Sequence, residues 1–156
     1  MEGNQAPGRA RIHLICAILA LLCLAAMFVP VLNDSSFGLF AGETLRGEAQ
    51  YAYYYSTSGF TSDEPIYKTM AAALLAAMMM LLAWAVHSFK GSAGKLGLTA
   101  AIVNLLATVF VMMGMIVEWG IYRIIIPGAI LVMALAAAAV VLAVMQYKAA
   151  RPAKKE

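Results

Sequence analysis

Residues 70–95 read MAAALLAAMMMLLAWAVHSFKGSAGK: an apolar run from Met70 to Val86, a short flank, and a turn bearing glycine and lysine at Lys90–Lys95. A second apolar run, Leu96–Val117, follows at once, and two more stand at Ile12–Leu32 and Ile124–Met145. Each comes within a few residues of the roughly 20 that a helix needs to cross a bilayer core of about 30 Å. With 63% hydrophobic and 12% charged residues, the composition also lies far from that of a soluble domain, where about 25% are charged.

The charges sort against these runs. With a cytoplasmic N-terminus, the inner segments hold Arg9, Arg11, Lys90, Lys95, Lys148, Arg151, Lys154 and Lys155 against Glu2 and Glu156. The outer segments hold Arg46, Lys68 and Arg123 against Asp34, Glu43, Glu48, Asp63, Glu64 and Glu118. Eight basic residues inside against three outside is a positive-inside pattern, and Lys and Arg set orientation. The expected fold is therefore an all-α integral membrane protein, a single four-transmembrane-helix bundle with cytoplasmic N and C termini. Its helices are expected at about 12–32, 66–89, 96–117 and 121–147, with an outer loop at 33–65 and a basic tail at 148–156. The first run has 21 residues, longer than the roughly 7–15 of a signal-peptide core, and is expected to stay as a helix. The basic groups flank spans in small sets, which argues for topology and lipid contact and against nucleic acid.

Local signals agree. Thr61-Ser62-Asp63-Glu64-Pro65 reads as a helix start, with capping side chains, early acids and a first-turn proline. Tyr67, Trp119 and Tyr122 are expected at the outer interface, and Trp84, Phe89, Tyr147, His13 and His87 at the inner one. Cys16 and Cys23 lie seven apart in one helix, too far for a disulfide within it, and read as small packing residues.

Two segments hold candidate functional residues. In the outer loop, Gln50-Tyr51-Ala52-Tyr53-Tyr54-Tyr55 alternates so that Tyr51, Tyr53 and Tyr55 share one face of a strand. Phe37–Ala41, with Phe37 and Phe40, pairs with it through Gly42–Gly47, giving an expected short extracellular β-hairpin. Tyrosine offers a large contact area at low entropy cost, so these five aromatics are the candidate partner contacts; the competing reading is a lid packed on the helix ends. In the third helix, Asn104, Thr108 and Glu118 share a polar stripe. It either lines a path or hydrogen-bonds a neighbouring helix, and the absence of charge inside the four apolar runs favours packing.

No nucleophile–base pair or metal-ligand set is visible, so no enzyme activity, metal or cofactor is expected. The clusters Met78-Met79-Met80 and Met112-Met113-Met115 point to different helix faces and read as adaptable packing. The plan of two cytoplasmic ends and a larger first outer loop resembles the claudin-type tetraspan arrangement in topology alone, since residues 33–67 contain neither tryptophan nor cysteine. The expected function is a scaffold, accessory subunit or sensor in the bilayer, with a membrane-protein partner or a second copy of itself. The alternative is a small oligomeric channel or transporter lined by the third helix. The alanine- and methionine-rich composition suggests a bacterial cytoplasmic membrane.

Overall fold

The structure, a computed structural model, describes residues 7–27, 65–119 and 126–150. They form four helices: α1 (Pro7–Ala26), α2 (Pro65–Phe89), α3 (Gly94–Trp119) and α4 (Ile126–Ala150). Each is long and apolar enough to cross a membrane. There is no strand among the described residues, and the hairpin expected over residues 37–55 lies outside them. So do residues 28–64, where the five candidate contact aromatics fall.

Helices α1 and α2 both begin on a proline, whose fixed φ and missing N–H suit the first helical position. The helix starts at Pro7, ahead of the expected Ile12, and turns at Met27, whose N–H donates to Leu24 O at 3.3 Å. Helix α2 ends in a paired cap on glycine. Gly91 takes φ 70°, its N–H donates to Ser88 O at 2.9 Å, and the Ser92 N–H reaches back to His87 O at 2.9 Å. This combination satisfies the last carbonyls of the helix and reverses the chain. The Ser92 hydroxyl adds contacts to His87 O at 3.3 Å and His87 Nδ1 at 3.1 Å.

The helices pack in a ring: α1 against α2 and α4, and α3 against α2 and α4. Small residues face inward. Ala17, Ala20, Ala71, Ala77, Ala100, Ala101, Ala136, Ala139 and Ala143 are buried, while Leu14, Ile18, Leu75, Met79, Leu106, Ile130 and Val141 are exposed. Water would penalise so much exposed apolar surface. Lipid does not, and in lipid close approach of small residues supplies the packing gain between helices.

Candidate functional site: a polar cluster at one end of the bundle

Helix α1 begins, α4 ends and the α2–α3 turn lies at one end of the bundle, where one amide gathers three helices. The Gln146 side chain of α4 is fully buried. Its Oε1 accepts from Trp84 Nε1 of α2 at 2.8 Å. Its Nε2 lies 2.9 Å from Ser88 Oγ, one turn along α2, and 2.8 Å from His13 Nδ1 of α1.

The chemistry of these groups fixes their protons. An indole N–H can only donate, so the amide oxygen must face Trp84 and the NH2 must face Ser88 and His13. Both NH2 hydrogens are then used, and His13 Nδ1 must be an unprotonated acceptor. The neutral ring carries its proton on Nε2. All four members are at least nine-tenths buried, where an unpaired polar group costs about 1–3 kcal/mol.

Helix α3 closes the cluster with a glycine. A Cβ on Gly97 would lie 2.5 Å from Trp84 Nε1 and 2.6 Å from Gln146 Oε1, so only glycine lets α3 seat against this hydrogen bond. Beside the cluster, between the start of α1 and the end of α2, lies a cleft of about 180 Å³.

The structure adds the surroundings of the residues named from the sequence. Trp84, expected near the inner end of its helix, lies near that end with its ring turned into the bundle and fully buried, against the Gln146 acceptor. His13, expected near the same end, is likewise buried there, beside Gln146. His87 is exposed. Cys16 and Cys23 are free and buried, with Sγ 3.6 Å from Leu142 O and 3.5 Å from Leu135 O of α4. Gln146 and Ser88 belong to the site although sequence reasoning did not single them out.

The stripe on α3 lies elsewhere. Asn104 and Thr108 are buried, at 2% and 1% exposure, near the middle of the bundle. No hydrogen bond reaches either side chain among the described residues, so the expected bond to a neighbouring helix is not seen. Glu118 belongs to the last turn of α3. Among the described residues no group of three or more His, Cys, Asp or Glu side chains stands close enough to hold a metal.

The chain matches no protein-family profile, no curated protein sequence and no solved structure.

Proposed function

We propose that this chain is a non-enzymatic four-helix membrane protein, a scaffold, accessory subunit or sensor, with both termini cytoplasmic in a bacterial cytoplasmic membrane. The observation that carries it is the Gln146 cluster, which joins three helices. Both hydrogens of the amide and its oxygen are engaged by side chains of the same bundle, which ties helices together. The eight-to-three division of Lys and Arg supports the orientation. A rigid bundle of this kind serves to present its outer loop and basic tail.

On this reading, residues 37–55 form a short β-hairpin over the helix ends, with Phe37, Phe40, Tyr51, Tyr53 and Tyr55 as contacts for a membrane-protein partner or a second copy. The test is affinity purification from native membranes in mild detergent. A Tyr51→Ser/Tyr53→Ser/Tyr55→Ser variant is expected to lose a co-purifying chain that a Lys154→Gln/Lys155→Gln variant retains. Equal recovery by all three proteins would contradict the loop's role.

Buried Asn104 and Thr108 without partners among the described residues favour, as a second reading, a small oligomeric channel or transporter lined by α3. Intramembrane polar groups are costly and often mark a path. Flux through liposomes holding the purified protein, abolished by Asn104→Leu, would establish that reading.

A further inference from the structure

The cleft beside the Gln146 cluster is walled by Ala10, His13 and Leu14 of α1 and by Ser88, Phe89 and Lys90 at the end of α2. One water needs only about 10–15 Å³ of such space, so 180 Å³ holds a polar group of several heavy atoms. The walls are rich in donors. Gln146 Nε2 takes up His13 Nδ1 and one acceptor position of Ser88 Oγ. What remains is the His13 Nε2–H, the Ser88 O–H and the Lys90 ammonium, which has three donors and no acceptor. Neither His13 nor Ser88 makes a further side-chain hydrogen bond among the described residues.

Charge points the same way. Arg9 stands one turn before His13 on α1, and the described residues include no aspartate or glutamate at this end of the bundle; Glu118 belongs to the opposite end. Leu14 and Phe89, half-exposed or more, flank the cleft with apolar surface suited to acyl chains.

We propose that this cleft binds a phosphate group, carried by an anionic phospholipid or free in solution, through His13 Nε2–H, Ser88 O–H and Lys90 Nζ. The apolar flanks favour the lipid headgroup as the source. This goes beyond the scaffold reading and does not depend on which end of the bundle faces the cytoplasm.

The test uses the full chain in a neutral maltoside detergent. It is titrated with dioleoylphosphatidylglycerol, with dioleoylphosphatidylcholine and, separately, with inorganic phosphate. Lipid adducts are read by native mass spectrometry and phosphate by line broadening in phosphorus NMR. The expected result is saturable binding of phosphatidylglycerol in preference to phosphatidylcholine. Lys90→Gln should weaken it about fivefold, the worth of one lysine beside anionic headgroups. Ala10→Trp, at an exposed position on the wall, should fill the cleft and abolish binding. Neither change touches the Gln146 hydrogen bonds, so the melting temperatures should hold; should Ala10→Trp fail to fold, Lys90→Gln alone carries the test. Saturable binding of inorganic phosphate that Lys90→Gln weakens, without the lipid preference, would support the site with a free anion as its source. Absence of binding by either probe, or binding that both variants leave unchanged, would overturn the proposal. Loss of partner recovery by the tyrosine variant is a separate measurement, so failure of one reading does not count against the other.

Discussion

The Trp84 indole Nε1 donates to Gln146 Oε1 at 2.8 Å, joining α2 and α4, which lie on a diagonal of the ring rather than side by side. The bond sets the amide's orientation, and through it the tautomer of His13 on α1. Because Ser88 also accepts from the same amide, one glutamine ties α1 and α2 to α4. Hydrogen bonds between membrane helices average about 0.6 kcal/mol. Leaving such groups buried without partners costs more, about 1–3 kcal/mol. Gln146→Leu, which strands the Trp84 N–H, is therefore expected to destabilise the bundle by at least about 1 kcal/mol in detergent unfolding.

Two glycines of α3 should respond differently to one methyl group. At Gly97 the new Cβ meets Trp84 and Gln146, both fixed by their hydrogen bonds, so Gly97→Ala should cost about 1–3 kcal/mol, as overpacking does. At Gly114 the new Cβ meets the far end of the Met70 side chain, which can swing aside. Gly114→Ala should then cost little, or gain up to about 1 kcal/mol from helix propensity. Melting temperatures of the two variants in one detergent make the comparison.

Asn104 is buried with no hydrogen bond among the described residues. Replacing an unpartnered amide by a side chain of similar size and no polarity removes a desolvation cost. Asn104→Leu is expected to raise stability by on the order of 1 kcal/mol. A fall in stability, measured by thermal unfolding, would mean that the amide has a partner in the membrane.

Orientation has a direct test. Cysteines placed at Ser58 or Thr44 should react with an impermeant thiol reagent on intact cells, and cysteines placed at Ser92 or Ala153 only after permeabilisation. Native Cys16 and Cys23 are buried and should stay silent, so they need not be removed. Labelling of the Ser92 variant in sealed cells would reverse the assignment.

Four helices of spanning length were legible in the sequence because run length is set by bilayer thickness. The α2–α3 turn was legible in Lys90–Lys95, and the α2 start in Pro65. Which faces meet was not. These helices are apolar all round, so no stripe marks the inward side, and small inner residues are spread among equally apolar outer ones. Residue type places Trp84 near a helix end, but that its ring turns into the bundle depends on a buried acceptor on another helix. That acceptor, Gln146, sits near the end of its span and looks like an ordinary flanking polar residue. A depth comparison would have found it: His13, Ser88 and Gln146 all lie near the helix ends gathered at the termini, within reach of one another in an up-and-down bundle.

Whether a hydrogen-bonded amide pins this end of the bundle can be read from a double-mutant cycle on Trp84→Phe and Gln146→Leu, with unfolding followed by detergent titration. Each single change strands a buried group, whereas the double change removes donor and acceptor together. The double variant is expected to be more stable than the sum of the single losses allows, with a coupling of about 1 kcal/mol or more. Additivity within about 0.3–0.5 kcal/mol would contradict it.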